Sequence, residues 1–300
     1  MNKKLEYIML DTEKPSFLSV LGGLEDLPSL PIVVTQLTEL LKNENTSIDD
    51  VVKLLMNDPS ITANILKLVN SAFYSGSYNQ EVTSLKIAVS RLGLTTTRNL
   101  ALTSSMFTLF SKSESPIFDR EQFWRHSIGV GVTAKVVYEY CQDSIDTHIP
   151  QDILHTAGVM HDLGKIVLEQ YFTEDFHRVI KEAQTNEFPL HVAEHQAWHT
   201  DHAKIGSWLA GQWDLNLDLL MPIRYHHKPL KAPQEYQCIC SLIHIADYIC
   251  NIEKYGYSAN QFPKFDANVW EFLGLKVSMI SDILDDTHDE LEEVDVFLNF

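Results

Sequence analysis

The sequence is poor in cysteine, in positive charge, in strand signals and in long apolar runs, and each shortage closes off a class of function. Its four cysteines, Cys141, Cys238, Cys240 and Cys250, include no C-x-x-C pair. Three of them fall in the apolar-periodic segment 237–250, which reads as buried, reduced thiols rather than a disulfide frame. Lysine and arginine number 23 against 41 acidic residues, a formal net charge of -18. That balance argues against nonspecific binding to nucleic acid or to anionic membranes. No apolar run approaches the roughly 20 residues needed to span a bilayer. The opening MNKKLEYIMLDTEKPSF has an apolar run too short and too broken for a signal peptide, so the expected compartment is the cytoplasm.

What is present fits a folded domain. An apolar fraction of 45% and a charged fraction of 21% are those of a soluble globular protein. A chain of 300 residues suffices for one large domain or two modest ones, with a sizeable core. Part of the negative charge is local, because SDILDDTHDELEEVD gathers acids near the end, as a solvated helix face or tail does.

Helix signals recur from about residue 30 onward. Ser47 followed by Asp50 opens SIDDVVKLLMND as a capping box. Asp58 at N-cap and Pro59 at N1 open the next helix, whose Ile61, Ile65, Leu68 and Val69 form an apolar face. TSLKIAVSRLG ends on Gly93, a good C′ residue, and a further apolar helix is expected over about 95–110. The polar stretch SKSESPIFD reads as a linker, after which Asp119 caps a long helix carrying His126. PQDILHTAGVMHDLG reads as helical, with Gly164 turning the chain into KIVLEQYF. Later helices are expected at 174–186, 190–199, 201–213, 216–226, 235–254, 267–274 and 277–299. The fold class is therefore all-α with short connections: an N-terminal tail (1–19), a helical subdomain (20–111), a second helical subdomain (119–255) and C-terminal helices with an acidic end (256–300).

Two His-Asp doublets stand out among 13 histidines. His288-Asp289 lies among carboxylates and reads as solvated surface. His161-Asp162 follows the apolar run Ala157 to Met160, so a carboxylate is expected at the end of a buried helix. Such burial is costly without a compensating cation or hydrogen bonds. Imidazole and carboxylate together suit Zn, Fe, Mn or Ni. Lys165, three residues on, could pair with the same carboxylate or meet a phosphate. His126, His226-His227 and Asp247 are likewise polar residues at apolar helical positions. Singly, each has a bland explanation: a satisfied core histidine, or for Asp247 a cap or a pairing with Arg224. Together they share the cost of burial only by converging.

The order His126, His161-Asp162, Asp247 is similar to the H…HD…D pattern of the HD superfamily of metal-dependent phosphohydrolases. LPSLPIVVTQLTELLKN, MNDPSITANILKLVNSAFY and SLKIAVSRLG, continued by DHAKIGSWLAGQWDLN and IRYHH, resemble the HDOD family over roughly residues 20–250. That resemblance implies an HD-like core beneath a helical N-terminal part, and a bacterial signalling or output role. By likeness to HD-GYP phosphodiesterases, His126, His161, Asp162 and Asp247 would hold one divalent metal (Fe, Mn, Ni, Zn or Mg). His202, His226 and His227 would hold a second, with Asp162 bridging, and Lys165 would contact substrate phosphate. The sequence after His227 lacks the Gly-Tyr-Pro signature, which counts against cyclic-di-GMP hydrolysis. Gln122 stands where those relatives carry a glutamate, with Glu121 one residue off that face. His195, His199 and His202 share an i, i+4, i+7 spacing, but Thr200 reads as an N-cap that interrupts it, leaving His202 as the ligand. His155 lies on a different face and reads as structural.

Two functions follow from the resemblance. One is hydrolysis of a nucleotide or cyclic nucleotide; the other is a non-catalytic module that binds a nucleotide signal or a signalling protein in trans. For the latter, Asn70 to Tyr74 is a candidate contact between the halves, against a bland alternative of a helix end with packed aromatics.

Overall fold

The computed structural model describes residues 27–70, 74, 81–110, 115 and 117–298, with side chains as far as 292. Among them every regular element is a helix. They fall into two compact units, one of Pro28–Ser111 with His288 onward, the other of Lys112–Thr287 together with Leu27.

The first unit holds α1 (Ile32–Leu40), α2 (Ile48–Leu55), α3 (Pro59–Val69) and α4 (Leu85–Leu109). Ser47 and Asp50 make the reciprocal capping box of α2, and Asp58 accepts from the Ser60 and Ile61 amides to start α3. Ile61, Ile65 and Val69 bury one face of α3, and Ala88, Val89, Leu100 and Met106 of α4 are buried in the same unit. The expected pair of helices around Gly93 is present within the span Leu85–Leu109: Gly93 takes a φ of 79° and a ψ of 168°, outside the helical region, and two helices meet there at a kink. Asn70 has a role of its own. Its side chain both donates to the Val82 carbonyl and accepts from the Val82 amide, tying the end of α3 to the approach to α4. Of the expected contact segment Asn70 to Tyr74, residues 71–73 lie outside the described residues.

The second unit holds α5 (Arg120–Cys141), α6 (Gln151–Met160), α7 (Leu163–Tyr171), α8 (Thr173–Thr185), α9 (Leu190–Trp198), α10 (His202–Gln212), α11 (Leu217–Tyr225), α12 (Gln237–Ile252) and α13 (Ala267–Phe272). Asp119 caps α5 through the Glu121 and Gln122 amides. α12 is buried along nearly its whole length, including Ile239, Leu242, Ile243, Ile245, Ala246 and Ile249. Each of these leucines and isoleucines contributes on the order of 1.5–3 kcal/mol of burial, which lets the helix carry His244 and Asp247 inside. All four cysteines are free and buried. A buried ion pair between Arg120 and Glu169 ties the start of α5 to α7. The last helix, α14 (Ile280–Leu298), carries the acidic end, where His288 is 72% exposed and pairs with Glu292, 3.0 Å away.

Two close crossings set the geometry of the core. A Cβ on Gly158 would lie 2.4 Å from the Gly131 Cα, so only glycine lets α5 and α6 touch backbone to backbone there. Gly164 corrects an expectation. It is not the turn residue but lies inside α7, where a Cβ would sit 1.9 Å from the His202 carbonyl oxygen. Its missing side chain lets α7 press against the start of α10. The turn is made by His161 and Asp162 themselves.

Candidate metal centre

His161 ends α6 and Asp162 begins α7, and both are fully enclosed, at 0% and 1% exposed. Asp162 occupies the N-cap position of α7 but makes no cap bond with its side chain. Its two oxygens are turned elsewhere. Oδ2 lies 3.2 Å from His161 Nε2, while Oδ1 lies 3.1 Å from His202 Nε2 and 3.7 Å from His226 Nε2.

Around Oδ2, α5 supplies His126 and α12 supplies Asp247. His126 Nε2 is 3.1 Å from Asp247 Oδ1, and His161 Nε2 is 3.5 Å from the same oxygen. One donor atom from each of His126, His161, Asp162 and Asp247 lies within 4.8 Å of all the others. Around Oδ1, His202 opens α10 and His226-His227 follow α11, and their three donors meet the same 4.8 Å limit. His202 Nε2 and His227 Nε2 are 2.8 Å apart. Two imidazole nitrogens aimed at one point share at most one proton, or a cation.

The histidines are held from behind. His161 Nδ1 donates to the Gly158 carbonyl at 2.6 Å, and His226 Nδ1 to the Ile223 carbonyl at 2.9 Å. A carbonyl only accepts, so Nδ1 carries the proton and Nε2 is left to face inward. Those inward atoms fit a cation. His161 Nε2, Asp162 Oδ1 and His226 Nε2 are buried without a hydrogen-bond partner, which is costly for polar atoms with nothing to bind. The oxygen-and-nitrogen donor set suits a borderline divalent ion.

The charges are strongly coupled. Burial works against the charged form of His161, but Asp162 and Asp247 outweigh it and raise its pKa to about 10. Burial likewise opposes the proton on His202, and the Glu194 carboxylate reverses this, raising it to about 9. Burial dominates at His126, His226 and His227, which are pushed down. Desolvation opposes the ionised forms of Asp162 and Asp247, yet the surrounding imidazoles, with Lys165 at Asp162, hold both carboxyls well below the usual range. Lys165 is 1% exposed, with its Nζ 2.5 Å from Asp162 Oδ2. It meets the carboxylate, not the solvent.

Several neighbours were not legible as functional. Glu194, buried at 0%, accepts from both Nδ1 and the backbone amide of His202; within LHVAEHQAWH it reads as an ordinary polar-face residue. His191 stacks on His227 with ring centroids 4.0 Å apart. His244 Nδ1 donates to the His226 carbonyl. Asn251 donates to Asp247 Oδ1 at 2.6 Å, and Ser258 donates to Asn251 Oδ1 at 2.8 Å. The one sequence signal for Asn251 was its i+4 spacing from Asp247 in an apolar helix.

Other expectations need correction. Arg224 does not pair with Asp247; it reaches Ser207, and Asp247 takes His126 and Asn251. Thr200 is not the N-cap of α10. Asp201 is, accepting from the Lys204 amide, while His199 closes α9 in a left-handed conformation. His195 and His199 are exposed and join neither donor group, nor do Glu121 or Gln122. His155 is buried apart from the site, where desolvation lowers it to about 4. No helix among the described residues is long and apolar enough to cross a membrane.

Comparison with known proteins shows the family and the fold. A family model described as HDOD domain matches residues 27–229. A crystal structure of an HDOD domain protein of unknown function from Geobacter sulfurreducens superposes with a TM-score of 0.68 at 26% identity, covering 91% of this chain and 96% of that one. One from Shewanella amazonensis, provisionally assigned as a metal-dependent phosphohydrolase, shares the fold at 21% identity and a TM-score of 0.64, covering 97% and 98%. An uncharacterised Treponema pallidum protein is 26% identical over 232 residues, which are 76% of this chain but 43% of the relative. The chain thus spans less than half the length of that relative.

Proposed function

Because this chain belongs to the HDOD domain family, we propose that it is a signal-transduction protein of that family with a retained HD-type cation site, and that it hydrolyses a phosphate ester of a nucleotide or cyclic nucleotide. The observation that carries this reading is Asp162, with one carboxylate oxygen in each of two converging donor groups. His126, His161, Asp162 and Asp247 would hold one divalent cation and His202, His226 and His227, with Asp162, a second. Such ions supply Lewis-acid stabilisation of charge developing on a phosphoryl group. The chain supplies the rest. The Gly158 and Ile223 carbonyls fix which nitrogen His161 and His226 present, and Asn251 fixes the Asp247 carboxylate. Burial of all the cluster but His227 excludes bulk water and strengthens the interactions within it. Lys165 would steady a phosphate oxygen only after exchanging its bond to Asp162 for one to substrate.

That same burial favours a second reading. His126, His161, Asp162, Lys165, His202 and His226 are all shut off from solvent, and His227 is the only half-buried member of the two groups. A site so enclosed also suits a module that uses its metals structurally and signals to a protein partner in trans, in the cytoplasm. The two readings separate in one experiment: metal content of the purified protein beside a panel of nucleotides, cyclic nucleotides and phosphodiesters, with His161→Ala as control. Bound metal plus cleavage lost in the variant supports the hydrolase. Two equivalents of metal without cleavage supports the module, and no metal at all removes the hydrolase.

A further inference from the structure

The two donor groups are unequal in charge. The first has two carboxylates, Asp162 and Asp247, whereas the second has three imidazoles, with Asp162 Oδ1 of the first group beside His202 and His226. Behind the second group, however, lies a carboxylate that no donor set includes. Glu194, on α9, is 0% exposed, and its Oε2 accepts from His202 Nδ1 at 2.6 Å and from the His202 backbone amide at 2.9 Å. Its Oε1 is buried with no partner at all. A half-satisfied carboxylate at full burial is strongly destabilising unless nearby positive charge compensates. Capping α10 does not explain the position, because Asp201 already occupies the N-cap. The other inward-facing rings with a known support, His161 and His226, lean on neutral backbone carbonyls. Among the described histidines of the two groups, His202 is the one braced by a charge.

We propose that Glu194 is the positioning residue and counter-charge of the second cation position, an inference that rests on the two-cation reading above. By accepting the Nδ1 proton of His202 it commits Nε2 to the cluster, and its charge raises the basicity of that nitrogen. Filling of the second position, but not of the first, then depends on Glu194.

The test uses the full chain stripped of metal, with zinc ion alone titrated calorimetrically into wild type and Glu194→Gln. The glutamine keeps an oxygen that accepts both His202 bonds and removes only the charge. Wild type is expected to take two zinc ions. The variant is expected to bind the first with unchanged affinity and the second about 10- to 100-fold more weakly, the unchanged first ion doubling as proof of folding. A variant that binds both ions like wild type, or loses both together, overturns the role of Glu194 while leaving the cation site standing. A wild type that takes fewer than two ions overturns the role together with the two-cation reading, so the two failures differ in which protein shows them. If the variant does not fold, nitrogen NMR of zinc-loaded wild type decides: His202 bound through Nε2 with a protonated, hydrogen-bonded Nδ1 supports the role, and zinc on Nδ1 overturns it.

Discussion

At the scale of single residues, the chemistry of this protein is a matter of which protons the cluster keeps. In the metal-free chain the carboxylates raise His161 to about 10 and His202 to about 9, against burial. The folded state therefore binds those protons more tightly than the unfolded state does. The resulting stabilisation is complete below the unperturbed histidine value of about 6.5 and is lost as pH rises through about 9 to 10. A metal ion must displace the same protons, so zinc affinity should increase steadily between about pH 6 and 9, with protons released to buffer. Calorimetry in buffers of different ionisation heat measures that release, and pH-independent uptake would count against the cluster as a cation site. Much of the cluster was legible at this scale. His126, His161, Asp162 and Asp247 are polar where helix periodicity demands apolar, and such residues offset their burial only together. Glu194, Asn251 and Ser258 were not legible, because each acts through another side chain and sits in a stretch where a polar residue is unremarkable. Glu194 is found only when the fold turns its face of α9 inward.

At the scale of elements, two contacts hold the donor groups in register. α7 and α10 meet where Gly164 faces the His202 carbonyl. Gly164→Ala should force the helices apart at a cost of about 1–3 kcal/mol, and the same displacement should weaken binding at the second group more than at the first. Thermal melts and zinc titration of the variant measure the two effects separately. The buried Arg120–Glu169 pair ties α5 to α7. Glu169→Leu alone takes a buried carboxylate partner from the guanidinium and should destabilise by about 3–5 kcal/mol, while the double variant Arg120→Met with Glu169→Leu should recover most of the loss. Denaturant titration of the set decides, and a double variant as unstable as the single one would refute the pairing. Element boundaries were largely visible in Ser47, Asp58, Pro59 and Asp119, whose caps act within one turn. The α6–α7 junction is not legible in the sequence, because Gly164 has the look of a turn residue there but lies inside the helix. The actual break is set by Asp162, which holds the N-cap position but lends its side chain to the clusters instead.

At the scale of the whole molecule, the all-α class was legible from composition, caps and periodicity alone. The crossings at Gly131, Gly158 and Gly164 were not, since a close backbone approach requires both partners to be known. If the clusters are cation sites, bound metal stabilises the fold by mass action. Zinc at about 100 times its Kd should raise unfolding free energy by about 2.7 kcal/mol per site, read as a melting temperature that falls on chelation and returns on readdition. Equal melting temperatures with and without chelator would remove that contribution. The run from Ser258 through Asn251 to Asp247 sets a lower bound on the functional fragment. The family match ends at residue 229, so a protein cut there keeps six of the seven donors but forfeits Asp247 with all of α12. Limited proteolysis should accordingly yield no stable piece ending between residues 229 and 258 that still binds two ions, because the last part of the centre is delivered by chain beyond the boundary of the family.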